Sequence, residues 1–571
     1  MVTNSIPHHH AFMKGSHSSV RSVFRAAHPL RAFLADAKTQ KLTPSNRALL
    51  VDQAIMLLDG FYVHLPLKRA MYAVDPLQRL KLLRRRLSKI ESDLDFHAEM
   101  IDIFAALHDL HTGYLLPSPF RNATAVLPFK VEAFYEGATR KYLVSNVRLG
   151  FKHPTFRPGV EVVSWNGVPI ARAIKTAGAH SPGSNADAQH ANGLARLTMR
   201  VLVNMPPPDE EWVTIGYRAP GGRQYEIRFD WMVIGHAAGL TIDSRSMSLE
   251  GDRVRQVRKL LFAPHVVEKS ARLAKKAPRT RRPRQMDSLM PDIFEARNVE
   301  TSDGEVGYIR IFSFNADRDE FVAEFERLLT LVTSNGLIVD VRDNPGGHIG
   351  AGERLLQLLG GTRPIEPERL FLINTPHTLR LCRLQRSNRD FGPKGLEPWR
   401  KSLVRSAETG AQFSASFPYS DPEQCNAVGR KYDGPVVVVT NARSYSATEF
   451  FAAGIQDHGI GLILGIADST GGGGANVRQH EELWAFFSKD PKSPFRALPK
   501  QSGFTVAFRR SQRVRAQAGN EVEDFGVASD EVHRMTRKDL LHHNIDLIYH
   551  AAKLLARKGS EPRRKRSPAR S

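Results

Sequence analysis

A chain of 571 residues is too long for one hydrophobic core, and at 41% hydrophobic and 25% charged residues it has the make-up of a globular protein of several domains. No stretch reaches the roughly 18 uninterrupted apolar residues that a membrane-spanning helix needs. The formal net charge of +22 comes from 81 Lys+Arg against 59 Asp+Glu and gathers in two runs, Lys269 to Arg284 and Arg557 to Ser571. Neither run interleaves aromatics for base stacking, so solvated linker and tail are expected rather than nucleic-acid binding.

Residues 1–43 are rich in His, Ser and Ala and read as a flexible N-terminal segment. They carry basic residues but no apolar core of a Sec signal, so the cytoplasm is the expected location; another export route would leave no visible mark. From Thr43, apolar residues recur at helical spacing behind Thr/Ser and Asp caps, which predicts a helical region over 44–122. Short β-rich runs punctuated by Gly, Pro and Asn follow, a β module over 123–268. Within it RPGVEVVSWNGVPIARAI resembles the part of a PDZ domain where the chain turns, runs a strand and enters a short helix. A basic linker at 269–290 leads to strands alternating with helices over 291–555, interrupted by an insertion at about 365–430. That alternation implies a parallel-rich sheet covered on both faces. A basic tail at 556–571 closes the chain. Cys382 and Cys425 both fall in the insertion and neither sits in a CxxC, which argues against a zinc site or redox pair. They are expected free in a reducing compartment and able to pair in an oxidising one.

Two loops carry the candidate chemistry. PVVVVTNARSYSATEFFAAG is a strand, a turn and a helix that opens at Ser446, so this hydroxyl sits at the positive end of a helix beside unpaired N–H groups. The same serine would also make an ordinary helix N-cap. GLIVDVRDN runs into Pro345-Gly346-Gly347, where consecutive glycines let backbone N–H groups approach a ligand. One loop thus offers a nucleophile and the other an oxyanion donor, the pairing that acyl transfer requires.

DVRDNPGG, SYSATEFFAAGIQDHG and EVEDFGVASD resemble, in that order, three blocks of the tail-specific (C-terminal-processing) serine protease family. The resemblance implies a crotonase-like α/β catalytic domain, protein or peptide substrates, no metal or organic cofactor, and Ser446 as nucleophile with the N–H groups of Gly346 and Ala447 as oxyanion donors. Most of the family pairs its serine with a lysine 25 residues later; here that position is Gly471, and the next lysine is Lys489. A branch that includes the chlamydial protease-like activity factor and the tricorn protease core uses a histidine from an Asp-x-His stretch instead. Asp109-Leu110-His111 matches it, which makes His111 the implied base, with His108 as the alternative. The orienting carboxylate of that branch falls on Glu523, or on Glu521 as second choice. Three other readings stay open: an inactive relative serving as a binding scaffold, an acyl-CoA enzyme of the crotonase fold, and anionic-polymer binding through the basic runs. A triad drawn from such distant parts also allows a latent form.

Overall fold

The runs of buried valine in the C-terminal half set the architecture. The structure, a computed structural model, describes residues 27–37, 41–235, 249–267, 269, 286–360, 364–392 and 394–560. Its main sheet has six strands in the order Phe294–Thr301, Gly304–Ile311, Leu337–Asp340, Val436–Thr440, Leu462–Gly465 and Glu531–Val532. The first pair is an antiparallel hairpin and every later neighbour is parallel. Leu337–Asp340 and Val436–Thr440 are buried along their whole length, as central strands covered on both faces must be.

Side-chain alternation divides those strands between two cores. Val436 and Val438 pack with helices Arg318–Leu329, Ile349–Leu359 and Ala447–Asp457. Val437 and Val439 pack on the opposite face with Leu547, Ile548, Ala551 and Leu555 of helix Ile545–Ser560. This is the parallel-rich α/β domain that the sequence predicts.

The N-terminal helices do not form a unit of their own. Pro44–Phe61 begins at Thr43, whose hydroxyl accepts from Asn46 N at 3.2 Å, with Pro44 at the first helical position. Its apolar residues share one core with strand Gly503–Gln512 and with Leu381, Trp399 and Leu403 of the insertion. Strand Gly113–Leu115 pairs with that same long strand, as does Arg369–Phe371 from the insertion. The insertion and the helical region therefore fold together as one layer beside the main sheet.

The β module is a sheet of Gln224–Asp230, Trp212–Arg218, Glu161–Trp165, Thr139–Val147 and Phe129–Glu136, with helices Ile170–Ala179 and Ala186–Arg196 alongside. Its Asn166-Gly167 turn has φ of 49° and 76°, the paired positive values of a type I′ hairpin. Helix Leu249–Phe262 follows and belongs to neither sheet.

Two expectations change, and the open question of the cysteines is answered. His28–Pro29 pairs with Met232–Val233, and helix Leu30–Ala37 buries Leu30, so the end of the supposed flexible segment is docked. The basic tail begins inside helix Ile545–Ser560. Cys382 and Cys425 are both free and buried, and they lie in different cores, so they are not a pair. Apart from Lys269, the basic run of the linker lies outside the described residues, as does the tail from 561 onward. Among the described residues no single helix is long and apolar enough to cross a membrane.

Phe451 joins the helix that follows Ser446 to this frame: it is fully buried and its ring lies 5.9 Å from that of Phe314. Phe451→Ala is expected to cost about 3–5 kcal/mol. Urea unfolding of the purified variant checks this, and an unchanged midpoint would contradict the packing described.

Candidate active site

Ser446 stands at the junction of strand Val436–Thr440 and helix Ala447–Asp457 with φ 59° and ψ −127°. A non-glycine residue rarely adopts this conformation, and its strain is held by the surroundings. Glu449, one turn into the helix, supplies much of the hold. Its carboxylate accepts from Ser446 N at 3.0 Å, Gly473 N at 2.7 Å, Gly472 N at 2.7 Å and Thr470 Oγ1 at 2.6 Å. Burial pushes the Glu449 carboxyl up to about 7 against those four donors. The Ser-x-x-Glu spacing thus ties the serine to the glycine run 471–474.

The Pro345-Gly346-Gly347 loop lies directly against the serine. A Cβ built on Gly346 would be 2.7 Å from Ser446 Cβ and 2.9 Å from Ala447 N, and its φ is 97°. Both expected oxyanion groups, Gly346 and Ala447, therefore lie next to the hydroxyl-bearing carbon. They are not equally available. Ala447 opens the helix, so its N–H lacks an intrahelical acceptor. The Gly346 N–H donates to Asn344 Oδ1 at 3.0 Å and must exchange that partner before it can serve an oxyanion.

His111 follows a tight turn in which Asp109 accepts from His111 N and from Thr112 Oγ1, each at 2.8 Å. The imidazole packs on the ring of Tyr445, the residue before the serine, with centroids 4.7 Å apart. Its Nδ1 is buried without a hydrogen-bond partner, and burial pushes the ring's pKa down to about 4. His111, Tyr445 and Pro345 line a common cavity of about 90 Å³. His108 faces elsewhere: its ring stacks on Tyr72 and its Nδ1 lies 3.2 Å from Gly183 O.

Glu523 is fully buried in the same region but is engaged by other residues. Gly474 N donates to it at 3.0 Å, Lys68 Nζ lies 2.8 Å away and His64 Nε2 3.5 Å away. Donor atoms of His64, Asp109 and Glu523 come within 4.8 Å of one another, a spacing that could suit a cation. Two positive groups already fill that role, because Lys68 sits on Glu523 and Arg510 donates to His64 Nδ1 at 2.9 Å. Glu521 is the ion-pair partner of Arg510 instead. Among the described residues no hydrogen bond joins His111 to Ser446 or to Glu523. The structure brings Ser446, Gly346 and Ala447 together, and it sets His111 and Glu523 into one adjoining buried cluster without linking them.

Residues 305–486 match peptidase family S41, and residues 123–237 match a PDZ domain. The chain carries an S41 serine peptidase domain. A protein of Chlamydia trachomatis is 22% identical over 451 residues, covering 66% of this chain and 72% of that one. The crystal structure of mature CPAF superposes with a TM-score of 0.62 at 17% identity, over 90% of this chain and 98% of that one. Mature CPAF complexed with lactacystin gives 0.60 over the same shares. The chain is thus a tail-specific-type serine peptidase with a PDZ domain, and the S41 match favours peptide over acyl-CoA chemistry.

The S41 domain also shows why no lysine follows the serine. A Cβ at Gly471 would lie 2.5 Å from Tyr445 Cδ2, and one at Gly473 would fall inside the same ring. Tyr445 occupies the space that a side chain at 471 would need, while Lys489 is exposed in a distant loop. Sequence reading missed Tyr445, Lys68 and His64. Two glycines facing a tyrosine one residue before the nucleophile were the signal available for the first; nothing in the sequence marks the other two.

Gly471→Lys is accordingly expected to lower thermal stability and to create no working base; a stable, more active variant would contradict this packing. A second outcome concerns pH. His97, His111, His190 and His480 are each pushed down to about 4 by burial, below their ordinary 6.5. The unfolded chain takes up these protons near 6.5 and the folded chain does not. Their contribution to stability is complete above pH 6.5 and declines as pH falls from 6.5 toward 4. Melting temperatures taken from pH 7 to pH 4 should drop through that window, and a flat profile would contradict the burial.

Proposed function

We propose that the protein is an endopeptidase that works through Ser446, His111 and Glu523 rather than through a Ser–Lys pair. His111 takes the proton of the Ser446 hydroxyl as Oγ attacks a substrate carbonyl. The N–H groups of Ala447 and Gly346 receive the oxyanion, and Gly346 exchanges Asn344 Oδ1 for it. His111 returns the proton to the leaving amine, and water then hydrolyses the acyl-enzyme. Glu523 orients the imidazole and balances its charge while it is protonated. The mechanism calls for no metal or organic cofactor.

The observation that carries this reading is the contact of Gly346 with Ser446. No side chain could stand between the two loops, so a carbonyl bound at Ser446 meets the Ala447 N–H directly and the Gly346 N–H once it leaves Asn344 Oδ1. The unpartnered Nδ1 of His111 supports the role of Glu523, because it leaves open the ring position that an orienting carboxylate would take. The lowered basicity of His111 keeps it neutral at pH 7, the form a general base must have. We place its action on protein or peptide substrates; nothing in the basic runs calls for nucleic acid.

Turnover of a denatured protein substrate tests the assignment. Ser446→Ala and His111→Ala are each expected to lose about 10⁶-fold in kcat, as members of a unit that acts together do. His108→Ala should retain most of the activity. Comparable rates for His111→Ala and the parent protein would remove His111 from the mechanism.

A further inference from the structure

Lys68 is the most deeply buried lysine side chain described, and its surroundings are specific. Helix Leu65–Tyr72 delivers it into the space behind the site, where its side chain has no exposure. Its ammonium donates to Asp524, lies 2.8 Å from Glu523 Oε1 and donates to His108 O at 3.1 Å. The ammonium thus has two hydrogen-bond acceptors, Asp524 and His108 O, and an ion pair with Glu523. Asp524 accepts in turn from Tyr72 Oη at 3.3 Å, and its backbone N–H donates to Gly472 O at 3.0 Å. The cation therefore ties helix Leu65–Tyr72 and His108 to the late loop 523–524, which is itself bonded to Gly472 and Gly474 of the glycine run.

The next residues sharpen the arrangement. Arg510 can only donate, so its bond to His64 Nδ1 at 2.9 Å places the His64 proton on Nε2. That N–H faces Glu523 Oε2 at 3.5 Å. Glu523 thus meets an ammonium, an imidazole N–H and the Gly474 N–H, and all three are donors. These donors favour the ionised form, because a carboxylate accepts from every side whereas a neutral acid must turn its own proton away from them.

We propose that Lys68 is a positioning residue of the catalytic machinery, which holds Glu523 as a carboxylate and fixes it within the His64–Asp109 cluster beside His111. The proposal rests on Glu523 being the orienting carboxylate. The groups that face Glu523 are Lys68, His64, Arg510, Asp109, Asp524, Tyr62 and Tyr445. Burial pushes Glu523 well above its ordinary value and Lys68 is the strongest pull the other way; Asp109 and Asp524 add to the push and Arg510 to the pull. Burial alone would strip the Lys68 proton, but Glu523, Asp524 and Asp109 hold it on, so the amine is no candidate base. Removing this cation leaves a carboxyl in a dry pocket between two other acids, and such a group takes up a proton.

The test compares pH profiles of kcat/KM for the full-length parent protein, Lys68→Met and Lys68→Arg. Lys68→Met should move the acid limb upward by a unit or more and cut turnover at pH 7 at least tenfold. Lys68→Arg should keep the parent limb. A folded Lys68→Met with the parent limb would overturn the proposal. A second measurement needs no Lys68 variant. The infrared difference between the parent protein and Glu523→Gln at pH 7 should show a carboxylate stretch, and a protonated carbonyl stretch would overturn the proposal. Full activity in Glu523→Gln would instead remove the orienting role of Glu523, while the infrared band still decides what Lys68 holds.

Discussion

Everything at this site depends on how closely the 345–347 loop approaches Ser446. Gly346 occupies a backbone conformation with φ 97° and sits where a Cβ would overlap the serine, the Tyr445 carbonyl and the Ala447 N–H at once. Strands Leu337–Asp340 and Val436–Thr440 make that approach possible, since they are adjacent parallel neighbours that end at the same level of the sheet. Each then turns into a helix at its carboxyl end, where open α/β sheets present their ligand sites. Ser446 and the backbone of Gly346 and Ala447 therefore come from the ends of fully buried central strands.

The proposed base comes from farther away. His111 arrives from the turn after helix Asp93–Ala105 and Glu523 from a loop near the C-terminus, and the glycine run 471–474 joins them to the serine. In that run the glycines do two jobs. They free backbone N–H groups for the Glu449 and Glu523 carboxylates, and they leave room for the Tyr445 ring, which packs in turn on His111. The Tyr445 ring thus lies both over position 471 and against the His111 imidazole.

The main sheet was legible because its strands are apolar runs bounded by Gly, Asn and Pro, and the strand-turn-helix around Ser446 because an apolar run meets a turn and a helical period there. The helical region was legible as helices but not as part of a shared core. Period alone does not say which apolar face meets which, and strand Gly503–Gln512 that joins them lies about 400 residues downstream. Lys68 and His64 were invisible for a related reason: a lysine in LPLKRAMY looks like any solvated helical lysine until the 523–524 loop is folded over it. The partner of the Gly346 N–H was equally hidden, because an asparagine side chain two residues back can turn either way.

The most direct test of the Ser–His account is to map the adduct of a fluorophosphonate probe by peptide mass spectrometry in the full-length protein and in His111→Ala. The account predicts one adduct, on the peptide containing Ser446, and its loss when His111 is replaced. An adduct on another serine, or undiminished modification of Ser446 in His111→Ala, would contradict it.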